Sequence, residues 1–157
     1  LKQYEEAIKA YKQVTKYKPD YADAWCALGL AHAELQQHEE AIKAYKQAIK
    51  YKPDYADAWY RRGLAHNGLQ QHEEAIGAVL QSIKIEPNIL EIWAVLGLLY
   101  AFNNQTENAK IWLCRAWQSR SSLSEDLATE VQEKLEELEV DPNTCGEDTN
   151  LSSDDQS

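Results

Sequence analysis

Methionine is absent from the 157-residue chain, and no run of eighteen or more apolar residues occurs in it. Without such a run, the sequence predicts no membrane-spanning helix. A basic-then-apolar leader is also missing, but the chain starts at a leucine inside a repeated unit, so we expect a fragment whose true N-terminus lies upstream. The missing leader therefore says little about export.

Cysteine is scarce. The three cysteines, Cys26, Cys114 and Cys145, lie far apart, and none forms the Cys-x-x-Cys pair used for zinc or redox chemistry. An odd number of widely separated cysteines favours free thiols in a reducing cytosol. On that basis we predict a cytoplasmic location.

Patterns for catalysis and for metal or cofactor binding are missing as well. No two of the four histidines are four residues apart on one helix, as a zinc site would favour. No glycine-rich phosphate loop follows a strand, and no serine or cysteine has a base at a recognisable spacing. We therefore predict no catalytic residue, no cofactor, no metal and no enzymatic activity. The histidines are His32, His38, His66 and His72.

The chain as a whole has no excess of positive charge. The net charge is −10, and residues 1–118 carry fourteen Lys and Arg against fourteen Asp and Glu, so the imbalance lies in residues 119–157. Because a surface that neutralises phosphates must be basic, we predict no nucleic-acid partner. Residues 140–157 are polar and acidic with few bulky apolar groups, which predicts disorder.

A repeat of 34 residues organises the rest. Residues 1–34 and 35–68 are identical at 25 of 34 positions, and the segment 16–25 returns almost unchanged as 50–59. A fixed period of this size indicates stacked supersecondary units instead of one globular core. The period is marked by Pro19, Pro53, Pro87, Trp25, Trp59 and Trp93.

Each unit contains two helical patterns, with apolar residues three and four apart over residues 22–35 and again over 39–51. Pro53 follows the second pattern and predicts the end of that helix. Asp20 and Asp54 come directly after a proline, where they are placed to accept backbone N–H bonds as the next helix starts. Each unit is therefore predicted to be a helical hairpin.

Seven residues of the first complete unit form a recognisable set: Trp25, Leu28, Gly29, Ala41, Tyr45, Ala48 and Pro53. Together they resemble the signature of the tetratricopeptide repeat family, and the resemblance extends over residues 1 to about 118. It implies an all-α fold, a right-handed α-solenoid of antiparallel helix pairs with a C-terminal capping helix. Gly29, Gly63 and Gly97 are small where two helix backbones should cross. The sequence departs from the family at Gln36 and Gln70, where a turn glycine is usual, and at Arg62, where leucine is usual.

The resemblance also implies boundaries. We predict the second half of a truncated repeat at 1–21, repeats at 22–55 and 56–89, and a divergent repeat at 90–121. An amphipathic capping helix should follow at 122–139, with Ser122 and Glu125 at capping-box spacing, and then a disordered acidic tail at 140–157.

In this family the first helices of successive repeats line a concave groove that receives an extended peptide or a helix. The same function is implied here. The family members that hold a terminal carboxylate use a clamp of lysine, arginine and asparagine, which this sequence lacks apart from Arg61. The candidate groove residues are Leu30, Leu64, Leu98, Tyr60, Arg61, Asn67, Asp23, Asp57 and Glu91.

An apolar column rimmed by acids predicts a protein partner with apolar anchors and basic flanks. The alternative for the leucines is packing between neighbouring first helices. The alternative function is a recruiting arm of a larger enzyme, such as a glycosyltransferase or a signalling protein, whose catalytic part lies outside this chain. A third possibility is weak self-association through Ile111 and Trp112. The lysines repeated along the second helices are expected to form a solvated face, with no membrane partner.

Overall fold

The computed structural model describes residues 2–146, and all regular structure in that range is helical, which confirms the predicted all-α fold. Two short 3-10 helices at Arg120–Ser122 and Pro142–Thr144 flank the last α-helix. No helix in the described range is both long and apolar enough to span a bilayer. The α-helices are α1 (Lys2–Tyr17), α2 (Ala22–Glu34), α3 (His38–Tyr51), α4 (Ala56–Gly68), α5 (His72–Ile85), α6 (Leu90–Phe102), α7 (Thr106–Gln118) and α8 (Glu125–Glu137).

The chain divides into two compact units, Leu1–Asn88 and Ile89–Ser157. In the first unit α2 pairs with α3 and α4 with α5, while α1 packs on α2 and α3 on α4. In the second unit α6 pairs with α7, and α8 packs against both. Short connections join the paired helices, so each pair is an antiparallel hairpin.

The two helices of each hairpin cross where the first helix has a glycine, as predicted. A Cβ built on Gly29 would lie 2.5 Å from Cε1 of Tyr45, and one on Gly63 would lie 2.6 Å from Cγ2 of Val79. On Gly97 it would lie 2.9 Å from the backbone nitrogen of Leu113. Only glycine therefore allows these backbones to approach without displacing the second helix.

The corners that join successive hairpins differ from the prediction. Tyr21 and Tyr55 occupy the positions before α2 and α4, and neither helix start has a side-chain cap, so capping by Asp20 and Asp54 was wrong. Each aspartate lies one residue before the position from which a short side chain caps a helix. The indole of the following helix closes the corner instead. Trp25 Nε1 donates to the Pro19 carbonyl at 2.7 Å, and Trp59 Nε1 donates to the Pro53 carbonyl at 3.0 Å.

The first helix of each hairpin ends in a left-handed residue that is not glycine. Gln36, Gln70 and Asn104 have φ of 58°, 59° and 56°. In each case the next residue returns a backbone N–H to the helix, as Gln71 does to the His66 carbonyl at 3.0 Å. This is the Schellman arrangement, in which glycine is usual because other residues are strained at positive φ.

The C-terminal helix also starts later than predicted. Ser124, not Ser122, caps α8, and its hydroxyl accepts the Leu127 N–H at 3.4 Å. Ser122 lies in the preceding 3-10 helix, so the predicted capping box with Glu125 was wrong. The apolar stripe on α8 is nevertheless used, since Val131 and Leu135 are fully buried.

Two of the three cysteines are not free. Cys114 in α7 and Cys145 form a disulfide, so the prediction of three free thiols was wrong for this pair, and Cys26 alone is free. The chain turns back after α8, which brings Cys145 to α7. Disulfides persist in oxidising compartments. The predicted cytoplasmic location therefore loses the cysteine argument on which it depended.

Residues 140–146, predicted to be disordered, contain the 3-10 helix Pro142–Thr144. The Asp141 side chain accepts the Asn143 N–H at 2.9 Å, which holds the start of that turn. Residues 147–157, the rest of the predicted acidic tail, lie outside the described residues.

Replacing Gly63 by Ala should lower the free energy of unfolding by about 1–3 kcal/mol, because the added methyl meets Val79 and lies 3.1 Å from the Ala75 carbonyl. Gly77→Ala in the same hairpin is the matched control. No atom lies within 4 Å of its Cβ, so helix propensity alone should stabilise the chain by up to about 1 kcal/mol. Urea denaturation followed by circular dichroism measures both, and equal effects of the two substitutions would contradict the crossing argument.

Replacing Gln70 by Gly should raise the stability by about 1 kcal/mol, because it removes the strain of a side chain at φ 59°. Gln81→Gly, at an exposed position inside α5, should instead cost about 1 kcal/mol. Thermal melting of the two variants gives the test. A loss of stability at both positions would show that Gln70 is not strained.

Candidate functional site

Two leucines at equivalent positions of α2 and α4 are open to solvent. Leu30 is 37% exposed and Leu64 is 39% exposed. Leu98, the third member of the predicted column, is only 6% exposed. The surrounding α6 is apolar on nearly all sides and packs against both α7 and α8. Leu98 is therefore not available as a surface contact, which corrects the predicted column.

We call the surface formed by Asp23, Leu30, Asp57, Arg61 and Leu64 the first-helix face. The Asp57 carboxylate connects its two helices. In α4, Arg61 Nε lies 2.9 and 2.8 Å from the two carboxylate oxygens of Asp57. From α2, the Cys26 thiol donates to Asp57 Oδ2 at 3.7 Å. One acidic side chain therefore orients an arginine on its own helix and contacts the neighbouring helix.

Tyr55, at the corner before α4, interacts with Cys26 and with the Asp23 carboxylate. Burial raises the pKa of the Tyr55 hydroxyl, with further contributions from Cys26 and the Asp23 carboxylate. Burial, followed by the negative charge of Asp57, also raises the pKa of the Cys26 thiol to about 11. At neutral pH the thiol is therefore protonated and does not act as a nucleophile.

Arg61, the single predicted anion contact, is already paired with Asp57. The ion pair is partly open to water, with 34% of the arginine side chain and 46% of the aspartate side chain exposed. An incoming carboxylate would have to compete with Asp57 for the same guanidinium. The first-helix face is consequently poorly suited to an anionic ligand.

The other predicted groove residues are not all brought to this face. Tyr60 in α4 is half-buried. The Asn67 amide oxygen lies 3.2 Å from His72 Nδ1, so Asn67 is engaged in its own hairpin. Glu91 is exposed in the first turn of α6, in the second unit.

The histidines have structural partners at the turns. Nδ1 of His32 lies 2.6 Å from Gln37 Oε1, and the equivalent distance from His66 to Gln71 is 2.7 Å. Among residues 2–146 no three His, Cys, Asp or Glu side chains are grouped so that they could hold a metal ion.

Arg62, at the position where leucine is usual in the family, packs against an aromatic ring. Instead of a carboxylate, its guanidinium lies over the Trp59 ring, 5.2 Å from the centroid. Burial lowers the pKa of Arg62, and its Nε has no hydrogen-bond partner in the described part of the chain. The ring face of the tryptophan thus supplies the stabilisation that the sequence could not assign.

The candidate self-association patch in the second unit is partly covered. Ile111 and Trp112 are both half-buried. The Arg115 guanidinium lies 4.4 Å from the centroid of Trp93 and 5.4 Å from that of Trp112. Self-association through this side stays a prediction.

Sequence reasoning missed the contact between Cys26 and Asp57, which joins α2 to α4 on this face. The two residues are 31 positions apart, close to the repeat length of 34, so they lie near equivalent positions of successive first helices. Without the crossing geometry, that spacing did not identify a contact.

Comparison with family models gives four matches. A model described as TPR repeat matches residues 1–36 and 29–70, and one described as tetratricopeptide repeat matches residues 56–89 and 90–120. Comparison with curated proteins gives no match.

Several solved structures are similar. The crystal structure of MamA has a TM-score of 0.69 at 24% identity, covering 87% of this chain and 88% of that one, which shows the fold alone. The first TPR of Spaghetti (RPAP3), bound to the HSP90 peptide SRMEEVD, has a TM-score of 0.62 at 26% identity and covers 63% and 79%. The second TPR domain of human RPAP3, in complex with the HSP70 peptide SGPTIEEVD, has a TM-score of 0.60 at 28% identity and covers 61% and 80%.

Thiol titration should distinguish Cys26 from the disulfide pair. At pH 8 the folded, unreduced chain should react with no equivalent of a thiol reagent, because Cys26 is buried and its pKa is about 11. Unfolding without a reductant should release one thiol, and reduction should release three. Two or more thiols in the unreduced, unfolded chain would contradict the disulfide.

Proposed function

The chain belongs to the tetratricopeptide repeat family, and we propose that it is a non-catalytic interaction scaffold that holds an extended segment of a partner protein on the first-helix face. The observation that carries the proposal is the exposure of Leu30 and Leu64 at equivalent positions of α2 and α4. Two similar domains, those of RPAP3, are peptide-bound in their structures, which supports a peptide as the ligand class.

The mechanism is geometric. α2 and α4 present the two leucines from helices that are already ordered, so the scaffold pays little conformational entropy when a peptide binds. Apolar side chains of the peptide would cover Leu30 and Leu64 and remove them from water. The bound peptide remains extended, and the spacing of its apolar side chains determines which peptides bind.

The charge of the first-helix face determines which residues are favoured beside the apolar anchors of the peptide. Asp23 and Asp57 are both exposed, and the only arginine on the face, Arg61, is bound to Asp57. A peptide with lysine or arginine beside its apolar anchors would therefore meet the Asp23 carboxylate, which Arg61 does not neutralise. A peptide such as SRMEEVD, which ends in acids, would meet charge of its own sign. We accordingly propose a ligand preference unlike that of the RPAP3 domains.

Selection from a random dodecapeptide phage library tests this proposal. Peptides enriched on the wild-type chain should share leucine-like anchors with adjacent Lys or Arg. Replacing Leu64 by Asp should weaken their affinity at least about tenfold, because a charge then occupies an anchor position. Fluorescence anisotropy with the enriched peptides measures the change.

Val14→Asp is the matched control. Val14 lies in α1 and is 36% exposed, close to the 39% of Leu64, so the substitution adds the same charge at similar exposure away from the face. Binding should be unchanged in this variant, and circular dichroism should show equal helicity in all three chains. Enrichment of peptides with acidic C-termini, or equal affinity for the Leu64→Asp chain, would refute the proposal.

A further inference from the structure

The ends of α1 and α3 carry a concentration of lysine that the first-helix face does not use. Each end has the sequence Lys-Tyr-Lys-Pro-Asp-Tyr, and a further lysine lies one helical turn earlier. Between the lysines, Tyr17 is 80% exposed and Tyr51 is 39% exposed. We call this surface the lysine corners. Its six lysines, all exposed, are Lys12, Lys16, Lys18, Lys46, Lys50 and Lys52.

The two corners lie at the same end of the first unit. α1 and α3 are each antiparallel to α2, so they run in the same direction. Ile8 of α1 and Ala44 of α3 belong to one hydrophobic cluster with Leu28 and Ala31 of α2, so both helices pack on α2. Both corners are closed by the same tryptophan-to-proline hydrogen bond. The lysines therefore lie at one end of the first unit, in two similar groups.

The positive charge of this surface is only partly offset, by Asp20 and Asp54 in the corners and by Glu40, which interacts electrostatically with Lys12. None of the six lysines forms an ion pair within residues 2–146. Lys50 lies 5.5 Å from the Tyr51 ring centroid, and Lys52 lies 4.2 Å from that of Tyr55. The two corner aspartates, Asp20 and Asp54, leave a surplus of four positive charges.

Complementing the helix dipole does not explain the cluster. That effect accounts for Lys16 and Lys50, which lie in the last turns of α1 and α3. Lys18 and Lys52 lie beyond the helices, where the effect is small. In addition, α5 ends in the same way with a single lysine, Lys84, followed by Glu86. The fold thus tolerates a corner without this charge.

We propose that the lysine corners are a docking surface for an acidic peptide segment of a partner protein. Lysine is a compact charge that pairs readily with single carboxylates, whereas bidentate recognition of phosphate favours arginine, which is absent here. Tyr17 and Tyr51 add exposed hydroxyl donors for carboxylate oxygens. Asp20 and Asp54 interrupt the positive surface at each corner, which disfavours the continuous negative surface of a nucleic acid or a membrane.

A fluorescein-labelled deca-glutamate peptide is the probe, with anisotropy measured at low and at moderate salt. The wild-type chain should bind it, and binding should weaken as salt is added. The variant K16A/K18A/K50A/K52A should bind about tenfold more weakly, because four exposed charges each contribute modestly. The matched variant K2A/K9A/K43A/K84A loses the same total charge elsewhere and should change the affinity less than about twofold.

A second variant keeps the test valid if the fourfold substitution perturbs a helix. K18A/K52A changes only residues outside α1 and α3, and it should still weaken binding about threefold with unchanged circular dichroism. The proposal is overturned if the wild-type chain fails to bind the peptide at low salt, or if the two fourfold variants lose affinity equally. Tighter binding of an oligothymidine or of phosphatidylserine vesicles than of the peptide would also overturn it.

Discussion

The close crossing of paired helices is the constraint on which the rest of the structure depends. At Gly29, Gly63 and Gly97 the facing helix leaves no room for a side chain, since an added Cβ would lie within 3.0 Å of it. Such crossings fix the distance between the two helices of a hairpin. They thereby determine which side of each first helix turns away from its partner. Leu30 and Leu64, each one residue after a crossing glycine, remain exposed, whereas Leu98 at the same position is covered by the packing around α6.

The same repetition produces two surfaces of different character in the first unit. α2 and α4 present apolar side chains beside carboxylates, whereas the ends of α1 and α3 present lysines beside tyrosines. Both patterns come from a sequence that was duplicated with few changes, so each contact group occurs in two copies. The later part of the chain is less similar to these repeats. There α6 has no exposed leucine at the position of Leu30 and Leu64, and α7 does not end in the lysine-rich segment of α1 and α3.

The fold could be predicted from the sequence because it depends on local and periodic information: a 34-residue period, small residues at the crossings and a proline after α1, α3 and α5. The groove could be predicted only in part. Leu98 has the same position in its repeat as Leu30 and Leu64, but its burial depends on the packing around α6. The Cys114 to Cys145 bond depends on the path of the chain after α8, which no repeat specifies. The capping prediction failed because Asp20 and Asp54 lie one residue before the N-cap positions, which Tyr21 and Tyr55 occupy.

The disulfide makes a closed covalent ring of part of the second unit. Its two cysteines are 31 residues apart, and α8 lies entirely inside the ring. If α8 detaches from its neighbours, the ring restricts how far it can move, so α8 loses less conformational entropy when it docks again. Loop-closure entropy of this length corresponds to on the order of 3–4 kcal/mol. Fraying from the C-terminal end should therefore stop at the ring, and a protease that cuts once inside it would leave both fragments joined.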